Sequence, residues 1–308
     1  MVTLLKLIRW PNLVMIALVQ YLLRFSIIEF LGIPHALNHF YYFLGVLCSV
    51  CLAAAGYIIN DIYDQKNDAL NKPQRLLIGA KIKEETAWYW FLGFNVVACV
   101  SGYILAQHVE LSSLGFIPII AAALLYLYAI DFKKRAVLGN LLVSLLTAVP
   151  VFLVGVFDLL PVATSENAPL MYQVLKVIVG YSLFAFYLNF MRELVKDAED
   201  HKGDAAMGFS TLAVIIKPAG IRYIVFVLGA VLLAFTGFFN YYIAQGDTIS
   251  AAYLLVFVNL PLLYFLVKIW WAQSPGQFKK LSTLLKLIML TGILSMVVFS
   301  LALKISLL

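Results

Sequence analysis

Two acidic runs hold the residues best suited to chemistry: Asp61-Ile-Tyr-Asp64-Gln-Lys-Asn-Asp68 and Asp197-Ala-Glu-Asp200-His-Lys-Gly-Asp204. Both read D-x-x-D-x-x-x-D, and each directly follows a long apolar stretch. If the helix continues through them, the i, i+3, i+7 spacing puts Asp61, Asp64 and Asp68 on one face, and likewise Asp197, Asp200 and Asp204. Three like charges on a helical face repel, and more strongly beside the low-dielectric membrane. A cation relieves that repulsion. Carboxylate oxygens are hard ligands, and Mg²⁺ typically takes one or two of them and leaves its other positions to water and phosphate. The pattern therefore predicts that the six aspartates are metal ligands and catalytic groups of one Mg²⁺ site handling a diphosphate. A solvated helix end accounts for a single such run. The same spacing twice, at matching positions, argues for chemistry.

Basic residues flank both runs. Asn71-Lys72-Pro73-Gln74-Arg75 follows the first, and Asn189-Phe-Met-Arg192-Glu-Leu-Val-Lys196 precedes the second. Lys72, Arg75, Arg192 and Lys196 can hold phosphate oxygens left free by the metal, Arg in bidentate fashion and Lys as a point charge. Asn60 can offer its amide oxygen to a cation or its amide nitrogen to phosphate. A phosphate-bearing acceptor would bring roughly two further negative charges and need cations of its own. Lys133-Lys134-Arg135 and Lys202 are candidates for that task, although membrane topology by itself also accounts for the cluster.

Composition shows where these runs sit. Of 308 residues, 63% are hydrophobic and only 12% charged, about half the charge of a soluble domain. The formal charge of +6 comes from scattered residues that form no stripe or nucleic-acid motif. Cys48, Cys51 and Cys99 lie inside apolar runs and read as small buried side chains, since no second pair or nearby His completes a metal site. The first apolar run follows Lys6 and Arg9 but continues to about residue 31 without a small-x-small cleavage site, so it is expected to remain as a helix.

Nine membrane spans are predicted, near 11–31, 41–59, 87–107, 113–130, 137–157, 171–191, 221–243, 250–270 and 285–306. The N-terminal segment and alternate connections carry 19 of the 22 Lys and Arg, leaving Arg24, Lys176 and Lys304. The positive-inside rule then places the N-terminus and both acidic runs in the cytoplasm and the C-terminus outside. Arg24 and Glu29 are expected to snorkel to the outer interface. The five Trp fall near span ends, as an interfacial belt requires. Ala53-Ala54-Ala55-Gly56 predicts close helix packing just before the first run. Pro118, Pro150 and Pro261 lie within spans, where neighbouring helices can satisfy the freed carbonyls. The connections 60–86 and 192–222 hold ten of the sixteen acids. Loops of that length in a compact bundle tend to be functional, and together with the matched runs they suggest a two-part repeat. A single domain, 1–308, is expected.

A diphosphate site at the end of an apolar bundle calls for a substrate whose other end is oily, such as an allylic prenyl diphosphate. Metal and basic residues would stabilise charge on the departing diphosphate, the bundle would exclude water, and aromatic faces could stabilise a cation. A transporter is the non-enzymatic alternative, but its ionisable groups would lie near the midplane of the membrane, whereas these cluster at one face.

Asn60-Asp61-x-x-Asp64-x-x-x-Asp68, with the second acidic run, resembles the UbiA superfamily of intramembrane prenyltransferases. The resemblance covers essentially the whole chain, and Ile8-Arg9-Trp-Pro-Asn12 is similar to the N-terminal segment in which the family places an Asn near the active site. It implies an all-α, nine-helix polytopic membrane bundle, Mg²⁺ dependence, a central cavity and a lateral opening for the prenyl chain. Within the superfamily, Arg192-Glu-Leu-Val-Lys-Asp197-Ala-Glu-Asp200-x-x-Gly-Asp204 most resembles the branch making digeranylgeranylglyceryl phosphate, which prenylates a hydroxyl of a prenylated glycerol phosphate. Asn71-Lys-Pro-x-Arg75 is shared by several branches, and Leu76-Leu-Ile-Gly79 departs from their Pro-containing continuation. The heme-prenylating branch lacks this arrangement of the first run. Branches with an aromatic, quinone-type acceptor remain the alternative.

Overall fold

The structure, a computed structural model, describes residues 2–65, 69 and 76–306. Among these, regular structure is helical apart from isolated bridges at Ile78–Ile82 and Arg135–Ser210. The helices are α1 (Val2–Leu7), α2 (Trp10–Leu22), α3 (His39–Tyr63), α4 (Glu84–His108), α5 (Ile117–Ile130), α6 (Leu138–Asp158), α7 (Ala168–Ala206), α8 (Leu212–Ala244), α9 (Thr248–Leu254), α10 (Leu260–Trp270) and α11 (Pro275–Ser306). A π-helix, Leu23–Glu29, extends α2, and another, Leu255–Asn259, joins α9 to α10. Nine of the resulting segments, among the described residues, are long and apolar enough to cross a membrane, and each overlaps one expected span.

The overhangs position the chemistry. Helix α7 has 39 residues, about 58 Å at 1.5 Å per residue, against a hydrocarbon core of about 30 Å. It therefore runs well past the expected span end at 191 and carries Asp197, Asp200 and Asp204 on a continuous helix. Leu188, Met191, Leu194, Val195 and Ala198 supply a buried stripe along this extension, and the helix formers Glu, Lys and Ala occupy several of its other positions. Gly208 ends it at φ 72°, the left-handed conformation that glycine adopts without a Cβ penalty, while Phe209 N–H reaches back to the Asp204 carbonyl. The first run behaves differently. Helix α3 stops at Tyr63, and Asp64 is its C-cap at φ −93°, ψ 0°. The continuous-helix condition thus holds for the second run, whereas in the first only Asp61 is helical and Asp68 lies outside the described residues.

Two compact units emerge, each drawn from several stretches of chain. One takes the described residues up to Gln20, Ile33–Lys134 and Val149–Val179; the other takes Tyr21–Gly32, Arg135–Ala148 and the residues from Gly180 onward. Each carries one acidic run. In the first unit Ala54 and Ala55 are fully buried, and a Cβ on Gly56 would lie 2.9 Å from Leu125 Cδ2. The small residues before the first run do let α3 and α5 approach closely. Leu7, Ile8 and Leu13 pack with Ile58, Ile59 and Ile62, which brings the N-terminal segment to the end of α3. In the second unit Met191, Leu194, Val225, Phe265 and Leu285 share a core across α7, α8, α10 and α11.

Arg24 and Glu29 do not snorkel. Arg24 is 1% exposed and its Nε donates to Glu29 Oε1 at 2.7 Å. They stand five residues apart in the π-helix Leu23–Glu29, whose i, i+5 repeat puts them side by side. The pair is satisfied within the protein.

Candidate active site

The first acidic run is met by cations from other parts of its unit. Lys133 Nζ lies 2.7 Å from Asp64 Oδ1 and 3.5 Å from Asn60 Oδ1. Asn60 Nδ2 donates to the other Asp64 oxygen at 2.7 Å, so both oxygens of Asp64 are engaged. Lys133 comes from the short 3-10 turn Phe132–Lys134 that follows α5, which also holds Lys134. Its side chain is 8% exposed, which makes this more than a loose surface pair. Arg9 Nη2 meets Asp61 Oδ1 at 2.8 Å, and the guanidinium lies over the Tyr57 ring, 4.8 Å from its centroid. Asn12 Nδ2 donates to the Tyr57 hydroxyl at 2.9 Å. Arg9 sits at the break between α1 and α2 with φ 52°, a conformation that costs a bulky residue about 1–3 kcal/mol and persists where the surroundings enforce it.

Around the second run, Asn140, near the start of α6, donates Nδ2–H to Asp197 Oδ2 at 2.9 Å. One turn along α6, Ser144 bonds to the Asn140 carbonyl at 2.6 Å, and Asn189 Nδ2 lies 3.5 Å from Ser144 Oγ. A polar seam thus follows α6 and α7 up to the acidic run. Asp204 is buried, and Asp200 is half-buried on the same helix. Arg192 and Lys196 both turn to Glu193, Arg192 Nη1 at 3.2 Å and Lys196 Nζ at 2.9 Å from each carboxylate oxygen.

Several site residues were missed in the sequence. Arg9 stood within the N-terminal segment, but its pairing with Asp61 spans more than fifty residues. Asn140 offered a signal in hindsight, a lone amide at the start of an apolar span. Glu193 was passed over between two cations. Of the expected set, Asn12 bonds to Tyr57, the ring that lies under Arg9, and Lys133 joins Asp64. Asp68, Lys72 and Arg75 lie outside the described residues. Among the described residues no three His, Cys, Asp or Glu side chains converge on one point as a ready-made cation cage. The donor chemistry nonetheless suits a hard cation: Asp61 and Asp64 already hold an Arg and a Lys at ion-pair distance.

Comparison with known proteins gives a consistent result. The model of the UbiA prenyltransferase family matches residues 21–303. A digeranylgeranylglyceryl phosphate synthase of Saccharolobus solfataricus is 30% identical over 84% of both chains. That of Methanosphaera stadtmanae is 28% identical over 82% of this chain and 85% of the relative. Among solved structures, one described in terms of digeranylgeranylglyceryl phosphate synthase in membranes superposes with a TM-score of 0.65 at 24% identity, covering 97% of each chain. A UbiA homologue from Archaeoglobus fulgidus bound to DMAPP and Mg²⁺ gives 0.55 at 16% identity, covering 96% of this chain and 99% of the homologue. At these identities the structural likeness establishes the shared fold.

Proposed function

The chain belongs to the UbiA prenyltransferase family, and from that premise we propose that it transfers a geranylgeranyl group from an allylic diphosphate to the hydroxyl of a prenylated glycerol phosphate. That it is a membrane-integral prenyltransferase follows from the family and from the nine apolar helices among the described residues. What carries the finer reading is the relation to digeranylgeranylglyceryl phosphate synthases over more than four-fifths of their length. In the reaction the allylic C–O bond breaks with its electron pair leaving on the diphosphate. The acceptor hydroxyl oxygen then bonds to the allylic carbon and releases its proton.

The aspartates 61, 64, 68, 197, 200 and 204 would hold the metal, and the Archaeoglobus fulgidus homologue with DMAPP and Mg²⁺ supports Mg²⁺ with a prenyl diphosphate here. Mg²⁺ would neutralise the diphosphate and favour its departure. Asn60 and Asn140 orient carboxylates, and Arg9 and Lys133 balance the charge of the first run. Lys72 and Arg75 add cationic contacts for the diphosphate. Both acidic runs are required in this reading, so residues 1–308 act as one domain. The charge asymmetry of the connections supports a cytoplasmic N-terminus and cytoplasmic acidic runs.

The test is an acceptor competition. Detergent-purified protein with geranylgeranyl diphosphate and Mg²⁺ is offered geranylgeranylglyceryl phosphate beside a hydroxybenzoate or dihydroxynaphthoate, with products read by mass spectrometry. The lipid phosphate should be prenylated and excess EDTA should stop the reaction. Prenylation of the aromatic alone would overturn the lipid acceptor, and full turnover in chelator would overturn the metal.

A further inference from the structure

Arg192 has an orphan. Its Nε–H is buried without a hydrogen-bond partner, although the same guanidinium donates Nη1–H to Glu193. Buried polar groups are rarely left so, and one that is calls for an explanation. A second cation stands nearby. Lys286, half-buried on α11, lies within electrostatic range of Arg192. The helix pairing explains how it gets there. The Tyr181 and Ser295 hydroxyls are 2.7 Å apart, and a Cβ on Gly292 would overlap the Phe184 ring. These two contacts set α7 and α11 antiparallel, in a register that carries Lys286 to the level of Arg192. Lys196, one turn along α7, completes the group around Glu193.

Two cations brought together in a partly buried place repel, and an anion between them relieves the cost. Arg192 and Lys196 both reach Glu193 and Lys286 adds a further positive charge beside Arg192, a setting that suits a phosphate monoester, charged roughly −1.5 to −2. We propose that Arg192, Lys196 and Lys286 bind the phosphate of the acceptor, with Arg192 Nε–H as one of its donors. This rests on the glycerol phosphate reading above. Lys286 otherwise passes for one more positive charge of the last cytoplasmic connection.

The donor's diphosphate is the other source of the same chemistry, and position argues against it. Arg192 and Lys286 lie on the membrane side of Asp197, about 7.5 Å along the helix from it at 1.5 Å per residue. The donor's diphosphate belongs, in the reading above, with the aspartates, about one and a half helical turns further along α7. Two anionic substrates also repel each other, so each needs cations of its own.

The experiment compares wild type, Lys286→Gln and Lys286→Arg with two acceptors, geranylgeranylglyceryl phosphate and its dephosphorylated alcohol, each at varied donor concentration. Wild type must first prenylate the phosphate form; if it does not, the functional reading fails and this inference falls with it. Lys286→Gln should raise the KM for the phosphate acceptor about ten- to a hundredfold, the usual loss of a charge-assisted contact. Donor KM should stay unchanged and the preference for phosphate over alcohol should shrink. Lys286→Arg should keep that preference, which excludes a mere folding defect. A rise in donor KM, or an equal loss on both acceptors, would overturn the assignment while leaving the functional reading standing.

Discussion

The carboxylates of the two runs are balanced in different ways. Asp61 and Asp64 meet Arg9 and Lys133, full positive charges, whereas Asp197 is held by the neutral amide of Asn140. A hydrogen bond to a charged group is typically worth about 1.5–3 kcal/mol. Asn140→Ala should therefore raise the Mg²⁺ concentration for half-maximal turnover about tenfold or more, read by metal titration of activity. An unchanged metal requirement would mean that Asp197 needs no such orientation. Asp64→Ala and Asp200→Ala should abolish turnover while the protein stays monodisperse in detergent. Lys279 and Lys280, in the first two turns of α11, are expected to tolerate neutralisation with little change in either KM.

Helix α7 is the element on which the second run depends; its fit against α11 is tight at one point, and open space adjoins α7 at Gly180. A side chain at Gly292 would strike Phe184, while a Cβ on Gly180 meets nothing within 4 Å. Overpacking in a tight core costs about 1–3 kcal/mol, and a glycine in a helix interior costs about 0.5–1 kcal/mol relative to alanine. Gly292→Ala should thus lower the thermal midpoint in detergent, and Gly180→Ala should leave it unchanged or raise it slightly. The opposite order would contradict the packing of these two helices. A different kind of element follows α2, where the π-helix lets a buried Arg24 find Glu29 within its own turn.

For the molecule as a whole, the prediction concerns topology. With 19 of 22 basic residues on the N-terminal segment and alternate connections, the N-terminus and acidic runs should be cytoplasmic and the C-terminus outside. Alkaline phosphatase fused after Ile305 should be active, and a green fluorescent protein fusion at the same point should be dark. The reverse pattern would put both acidic runs on the wrong side for this orientation. Each run sits in its own compact unit, in line with the two-part repeat suggested by their matching positions in the sequence.

The spans, their number and the paired acidic runs were legible because they are local properties. Apolar length, small residues such as Ala54 and Ala55, and i, i+3, i+7 spacing are written within one stretch of chain. Helix continuation was already harder to read. Gly203 did not break α7, because a buried stripe from Leu188 to Ala198 holds that extension, while α3 stopped at Tyr63 under a similar pattern. The partners were decided by tertiary structure alone. Nothing near Asp61 or Asp197 in the sequence singles out Arg9 or Asn140, and nothing near Arg192 singles out Lys286. These pairings arise when helices far apart in the chain pack in one register, because a charge or amide near a span end can be satisfied by whichever element packing brings alongside it.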